Sequence, residues 1–300
     1  MPAPRHRARH LRLVLPAALA AALAACSSTS AQPPLQQHTP SPPVSPSPSP
    51  TPQPSGSFSP FVPIAGQPPV SGHPWYLAIG DSVTSGFTVD PTRLGTNSAW
   101  ALQLQGLLAA SGRPWTLYDV ACPSERTDTY YTLCPARAQI PFLATTSQHD
   151  AAMAAIAAHR ADLRAVFIDL GSNDLLHAQR TGESLPATVA ALRTSLTRIV
   201  AELQRAAPRV PVILCNFYDP LANLAPTTLP QLDQVNAMVA QVAAATGARL
   251  ADFRDAINTV RSGTDPTLCS YVDCAHGDVH PTIAGHLRLA RVALAVLLGR

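Results

Sequence analysis

The sequence predicts an α/β domain over residues 73–300, in which one parallel sheet of five strands lies between two layers of helices. Short apolar runs of strand length recur through this region, and longer segments of helical character separate them. Such apolar runs are typical of parallel strands that are buried on both faces. The regular alternation of strands with helices favours a parallel sheet in a three-layer α/β/α arrangement.

The predicted elements can be placed from these runs and from their flanking residues. Strands are predicted at 75–79, 116–120, 165–170, 210–217 and 249–253. Helices are predicted at 147–159, from Ser184 to the residue before Pro208, at 228–246 and at 281–299. In open parallel sheets, functional sites gather at the carboxyl ends of the strands, so the loops that follow the strands are the place to look for chemistry.

The first 26 residues have the features of an export signal. Basic residues from Arg5 to Arg12 precede an apolar stretch from Leu13 to Leu23 that is too short to span a bilayer as a helix. The tetrapeptide that ends at Cys26 resembles a bacterial lipobox, which implies lipidation of Cys26. The alternative is an ordinary signal peptide that is cleaved nearby. We expect a protein anchored by lipid at the extracellular face of the cell membrane, or a secreted one.

Residues 27–72 are rich in proline and serine and cannot build a core. The alternating Ser-Pro run at 45–50 favours an extended polyproline-type chain, so this segment is predicted to be a disordered tether between the anchor and the domain.

The charge distribution excludes a nucleic-acid partner. The formal charge of +3 becomes −1 for the remainder when the four arginines of the first twelve residues are set aside. A nearly neutral domain without a basic stripe lacks the electrostatic surface that nucleic acids require. We expect a monomer that is attached to a membrane through its lipid anchor. The motifs described below indicate an ester as its substrate.

Four of the six cysteines lie in two local pairs, Cys122 with Cys134 and Cys269 with Cys274. An exported protein can form disulfides, and closeness in sequence favours these two pairings among the three that are possible. Cys215 lies within a predicted strand and is predicted to be a buried free thiol. The cysteine spacings do not match a zinc cluster, so neither a metal nor another cofactor is expected.

Three short motifs follow predicted strands or precede the last helix. Gly80-Asp81-Ser82 follows the first strand, Gly171-Ser172-Asn173-Asp174 follows the third, and Asp278-Val279-His280-Pro281 precedes the final helix. At one edge of the sheet, a serine hydroxyl could act as nucleophile, an imidazole as base and a carboxylate as orienting group. The second motif is also a plausible turn. Tyr218-Asp219-Pro220, after the fourth strand, is expected at the rim of a pocket.

In this order and spacing, the three motifs resemble blocks I, III and V of the SGNH (GDSL-type) hydrolases. The segment 121–127 resembles block II, with Ser124 where that family usually has glycine. The resemblance covers residues 73–300 and implies a flavodoxin-like SGNH fold. It also implies a serine esterase with Ser82 as nucleophile, His280 as base, and the Ser82 N–H, the Ser124 N–H and the Asn173 side chain as oxyanion hole.

One departure leaves the orienting acid open. The family usually has aspartate three residues before the histidine, where this chain has Gly277. Asp278, two residues before His280, is favoured as the third catalytic residue, with the Gly277 carbonyl as the alternative.

Three functions stay open at this point. Hydrolysis of carboxylic esters, by an esterase or lipase, is favoured over acyl transfer to sugars of the cell wall and over a non-catalytic surface binding protein. The substrate could be a small-molecule, lipid or polysaccharide ester.

Overall fold

A parallel sheet forms the centre of the molecule. The computed structural model describes residues 68–90, 98–138, 140–225 and 227–300, so the predicted signal peptide, Cys26 and the predicted tether up to residue 67 lie outside the described residues. The strands are β1 (Trp75–Gly80), β2 (Thr116–Asp119), β3 (Leu163–Asp169), β4 (Val212–Cys215) and β5 (Arg249–Ala251). They pair in the order β2-β1-β3-β4-β5, and every pairing is parallel. The predicted fold class is therefore confirmed.

Helices cover both faces of the sheet, as predicted. The α-helices are α1 (Ser82–Ser85), α2 (Trp100–Ala110), α3 (Gln148–His159), α4 (Ser172–Thr181), α5 (Leu185–Ala206), α6 (Thr228–Thr246), α7 (Phe253–Ile257), α8 (Leu268–Tyr271) and α9 (Ile283–Leu298). Short 3₁₀ turns lie at Thr129–Tyr131, Pro141–Leu143, Arg160–Asp162 and Cys274–His276. In the described part of the chain, no helix combines the length and the apolar character that a bilayer crossing needs.

The alternation of side chains along β1 divides the core into two halves. Trp75, Leu77 and Ile79 pack on one side with α3, α5 and α6. Tyr76 and Ala78 pack on the other side with α2 and α9. Because successive residues of a strand point to opposite faces, a run of six buried residues needs a helical layer on each side.

The helix starts show where the sequence prediction holds and where it fails. Ser147 caps α3 as expected, with its hydroxyl accepting a hydrogen bond from Asp150 N at 3.0 Å. The final helix begins at Ile283 rather than at Pro281, because the Thr282 hydroxyl accepts from Gly285 N at 3.1 Å and so caps the helix later. Helices α2 and α4 were not predicted.

The last residues of the predicted tether contact the domain. Gly72 N donates to Asp162 Oδ2 at 2.7 Å, and Ser71 Oγ lies 3.1 Å from His159 Nδ1. The ordered domain therefore includes residues just before 73.

Gln148, the first residue of α3, joins two loops at the carboxyl edge of the sheet. Its side-chain oxygen accepts from Gly80 N at 3.1 Å, and its nitrogen donates to Gly80 O at 2.8 Å and to Glu125 Oε2 at 2.9 Å. Glu125 also accepts a short hydrogen bond from the Thr129 hydroxyl. A single buried amide thus holds the end of β1 against the loop after β2.

Burial raises the pKa of Glu125 to about 7 from an ordinary value of 4.5, although the hydrogen bonds from Thr129 and Gln148 act in the opposite direction. Between these two pH values the folded protein keeps a proton that the unfolded chain has released. The free energy of unfolding therefore falls as pH rises through this window.

We predict that Glu125→Gln reduces this fall, by up to about 3 kcal/mol, because the amide resembles the protonated acid and loses the titration. Its oxygen can accept from Gln148 Nε2, and its NH₂ group can donate to the Thr129 hydroxyl. Urea unfolding at pH 5 and at pH 8 measures it. The buried Asp119, whose pKa burial also raises to about 7, still titrates in the variant. An equal fall in both proteins would contradict the prediction.

Gly285, in the first turn of α9, lies against backbone. A Cβ atom there would be 2.0 Å from Tyr271 O and 2.9 Å from Pro281 Cβ. The carbonyl belongs to backbone and cannot move aside as a flexible side chain can.

We predict that Gly285→Ala lowers the free energy of unfolding by about 1–3 kcal/mol through this clash. The matched control is Gly106→Ala in α2, which is exposed and has no neighbouring atom within 4 Å of the added Cβ. It should raise the free energy of unfolding by about 0.5–1 kcal/mol, the ordinary gain for alanine in a helix. Urea titration of both variants decides; a Gly285→Ala protein as stable as the control would refute the clash.

Candidate active site

Ser82 begins the turn that follows β1. Asp81 occupies the N-cap of α1, and its Oδ1 accepts from Val83 N at 2.9 Å. A Cβ atom at Gly80 would lie 2.3 Å from Thr84 Oγ1, so the chain can turn this sharply only with glycine there. The sequence places the serine at the carboxyl edge of the sheet, and the structure has it there.

The second motif begins a helix instead of forming a loop turn. Gly171 has a φ of 133°, and α4 starts at the next residue. Asn173 Nδ2 donates to Asp81 Oδ2 at 3.0 Å, and the Ser172 hydroxyl makes a short hydrogen bond to the same oxygen. The ends of β1 and β3 are therefore joined through one carboxylate.

Asp174 fixes the neighbouring loop and does not face the cavity described below. Its Oδ2 accepts from Thr127 N at 3.0 Å and its Oδ1 accepts from Thr127 Oγ1 at 2.6 Å. Asp174 thus connects α4 to the segment that follows β2.

Ser124 adopts a backbone conformation that is usual for glycine. Its φ is 65°, and no other non-glycine residue among those described has a positive φ. The turn is closed by Glu125 N donating to Cys122 O at 3.1 Å. An L-residue in this region carries a steric cost, so this backbone conformation favours glycine.

His280 is oriented by a carboxylate. Its Nδ1 lies 2.5 Å from Asp278 Oδ1, and both side chains are buried. The other oxygen, Asp278 Oδ2, accepts from Val89 N at 3.2 Å. Burial tends to raise the pKa of Asp278, but the hydrogen bond and the charge of His280 outweigh it, and the net pKa lies below its usual value. Of the two candidate orienting groups, the Asp278 carboxylate makes this contact.

Two aromatic residues support the imidazole. The Phe87 ring lies 5.1 Å from the His280 ring, centroid to centroid. Tyr218 Oη donates to Val279 O at 2.9 Å and so holds the backbone next to the histidine.

Ser82, Ser124, Asn173 and His280 line one cavity of about 390 Å³. Tyr218, Asp219 and Pro220 line it too, at the position expected from the sequence. Among the described residues, no hydrogen bond joins the Ser82 hydroxyl to the imidazole in this conformation. Catalytic hydrogen bonds often become short only in complex with substrate, so the shared cavity is the relevant geometry.

Six apolar side chains contribute to the lining of this cavity, beside polar ones such as Arg180 and Gln231. We call these six side chains the apolar wall: Leu175, Leu176, Leu185, Phe217, Leu232 and Val235. It is formed by α4, the start of α5, the segment that follows β4, and α6.

Asp169, the last residue of β3, is a buried acid that the sequence analysis missed. Its Oδ2 accepts from Thr84 Oγ1 at 2.9 Å, and it lines the cavity. Burial, together with the nearby charge of Asp81, raises the pKa of Asp169 to about 8. The sequence does mark this residue, because an aspartate within an apolar strand is energetically costly and therefore unusual.

The cysteines are paired as closeness in sequence suggested. Disulfides join Cys122 to Cys134 and Cys269 to Cys274, while Cys215 is a buried free thiol. Away from the cavity lining, Asp90, Asp273 and His276 could offer three ligand atoms within 4.8 Å of one another. His276 Nδ1 lies 2.9 Å from Asp273 Oδ1, so a hydrogen bond between protein groups already accounts for part of this cluster.

Known proteins resemble this chain in both sequence and fold. The model of the GDSL-like lipase/acylhydrolase family matches residues 78–288. Axe2, an acetylxylan esterase from Geobacillus stearothermophilus, has 22% identity and a TM-score of 0.52, over 79% of this chain and 96% of that one. LAE5, an alpha/beta hydrolase enzyme from the metagenome of Lake Arreo, Spain, has 19% identity and a TM-score of 0.51, over 76% of this chain and 95% of that one. The comparison with curated proteins found no match.

At these identities the solved structures establish the fold and leave the substrate open. The family model extends from the middle of β1 into α9, and therefore includes the Ser82 turn, the start of α4 and the His280 loop. The chain belongs to the GDSL-like lipase/acylhydrolase family and is an SGNH serine esterase.

Proposed function

We propose that this chain hydrolyses carboxylic esters through an acyl-enzyme at Ser82. The observation that carries the proposal is the cavity in which Ser82 and Asn173 meet a histidine whose other nitrogen contacts a buried carboxylate. A nucleophile, a base and an orienting acid are the parts that serine catalysis needs.

In the acylation half, Ser82 Oγ attacks the ester carbonyl carbon while His280 Nε2 takes the hydroxyl proton. The carbonyl oxygen becomes an oxyanion. The bond from the carbonyl carbon to the alcohol oxygen then breaks, and His280 gives its proton to the departing alcohol. Asp278 keeps the imidazole in the tautomer with the proton on Nδ1 and stabilises the imidazolium.

In the second half, water attacks the acyl-enzyme carbonyl and His280 takes a proton from that water. The bond to Ser82 Oγ breaks, the proton returns to Ser82, and a carboxylic acid leaves. Water is the only co-reactant, so no cofactor is required.

The oxyanion would be stabilised by the Ser82 N–H, the Ser124 N–H and the Asn173 side chain. An amide NH₂ group carries two donors, and the bond to Asp81 uses one of them. That bond also fixes the direction of the second donor. A preorganised donor of this kind is typically worth about 10²–10³ in rate.

For the place of action, we propose the extracellular face of the cell membrane, with Cys26 as the lipid-modified N-terminus. The support is the sequence of residues 1–26 and the two disulfides of the domain, which suit an oxidising compartment.

The test of the function uses p-nitrophenyl esters and a fluorophosphonate label. We expect the wild-type chain to turn over esters and to be labelled at one serine. Ser82→Ala should lose labelling and lower kcat on the order of 10⁴-fold or more. Ser262→Ala, at an exposed serine, is the matched control and should keep both. Absence of turnover and labelling in the wild type would refute the enzyme, whereas labelling that survives Ser82→Ala would refute the nucleophile.

The role of Asp278 is tested by Asp278→Asn. The amide keeps the acceptor for Val89 N but can favour the wrong imidazole tautomer, so kcat should fall on the order of 10³–10⁴-fold. Steady-state kinetics gives kcat of Asp278→Asn, with His280→Ala measured for comparison. Thermal unfolding checks that both variants fold. A loss of less than about tenfold would assign the orienting role to the Gly277 carbonyl instead.

A further inference from the structure

The apolar wall lines the same cavity as the reacting groups. Ser82 and His280 line the same cavity as Leu232 and Val235, which belong to α6. The cavity therefore offers an acyl group bonded to Ser82 a space beside this wall.

The cavity is larger than the smallest acyl groups need. Its volume of about 390 Å³ falls within the range of about 300–1,000 Å³ for pockets that enclose whole small molecules. An acetyl group has a single methyl beyond its carbonyl carbon and would leave most of the apolar wall without contact.

Arg180 and Gln231 also line the cavity, whereas the polar groups at its Asp219 side bond to one another or to backbone. The Thr228 hydroxyl makes a short hydrogen bond to Asp219 Oδ2, and Asp219 Oδ1 accepts from Leu221 N at 2.8 Å. Sugar hydroxyls placed against leucine and phenylalanine side chains would lose hydrogen bonds to water without replacement. A hydrocarbon chain would gain about 0.8 kcal/mol for each buried methylene, which corresponds to about fourfold in binding.

Glycine at position 171 makes part of this wall possible. A Cβ atom there would lie 2.6 Å from Phe217 Cζ and 2.9 Å from Leu192 Cδ1. The absence of a side chain lets the Phe217 ring pack against the start of α4, and from there the ring lines the cavity.

We infer that the substrate is an ester of a medium or long aliphatic acid, with the acyl chain lying along the apolar wall and with Leu232 and Val235 as specificity-determining residues. The inference rests on the proposed function and goes beyond it by naming the substrate class.

The experiment measures kcat/KM of the full chain for p-nitrophenyl acetate, butyrate, hexanoate, octanoate and dodecanoate. For the wild type, we expect octanoate to exceed acetate on the order of 100-fold, since several methylenes become buried at about fourfold each. Leu232→Trp should lower the octanoate-to-acetate ratio by about tenfold or more, because the indole fills the space that the chain needs.

The matched control is Gln234→Trp, an exposed position on the same helix that does not line the cavity, and its ratio should stay within about twofold of wild type. If Leu232→Trp does not fold, as judged by thermal unfolding, Val235→Leu adds less volume and should lower the ratio in the same direction. Inhibition of acetate hydrolysis by free fatty acids tests the same pocket without any variant, and should strengthen from butyrate to dodecanoate.

Three results would overturn the inference. Faster hydrolysis of acetate than of octanoate, or of acetylated xylooligosaccharide than of any longer ester, would overturn the substrate class and leave the serine esterase intact. If both tryptophan variants leave the octanoate-to-acetate ratio of kcat/KM unchanged, the apolar wall does not determine specificity. No turnover of any ester, with no fluorophosphonate labelling, would overturn the proposed function as well.

Discussion

The buried carboxylate of Asp81 is the constraint on which the site depends. It accepts hydrogen bonds from Val83 N, from the Ser172 hydroxyl and from Asn173 Nδ2, so it joins the turn after β1 to the start of α4. Burial raises the pKa of Asp81, and its three donors oppose that rise. Removing the carboxylate would therefore remove the hydrogen bonds that hold the Ser82 turn and the Asn173 side chain in place relative to each other.

The sheet brings these two segments within reach of one carboxylate. β1 and β3 are parallel neighbours whose last residues are in register, with Gly80 opposite Asp169. Parallel strands end at the same edge, so the loops that leave them start about one strand spacing apart. The positions of the five strands along the chain were predictable in outline because buried parallel strands are apolar along their whole length. Helix α6 was predicted with its observed limits because an uninterrupted helical segment ends at Gly247.

The missed helices and contacts share a physical reason. Gly171-Ser172-Asn173-Asp174 has the composition of a turn, and α4 begins there because tertiary contacts override local preference: Phe217 and Leu192 pack where a side chain at 171 would lie. The bridge from Gly80 through Gln148 to Glu125 connects residues from three distant parts of the chain, and no periodicity connects them. Short motifs mark Ser82, Asn173 and His280, so these residues could be named in advance. The apolar wall is assembled from six residues on four separate segments and has no such motif.

The two disulfides lie in the segments that carry Ser124 and His280. Cys122 is two residues before Ser124, and its partner Cys134 closes the loop that contains Glu125 and Thr127. Cys274 precedes Asp278 by four residues, and its bond to Cys269 closes the segment that leads to His280. The nucleophile turn needs no such link, since Asp81, Gln148 and β1 itself hold it. A buried carboxylate thus restrains the segments after β1 and β3, and a disulfide adds a covalent restraint to each of the segments that carry Ser124 and His280.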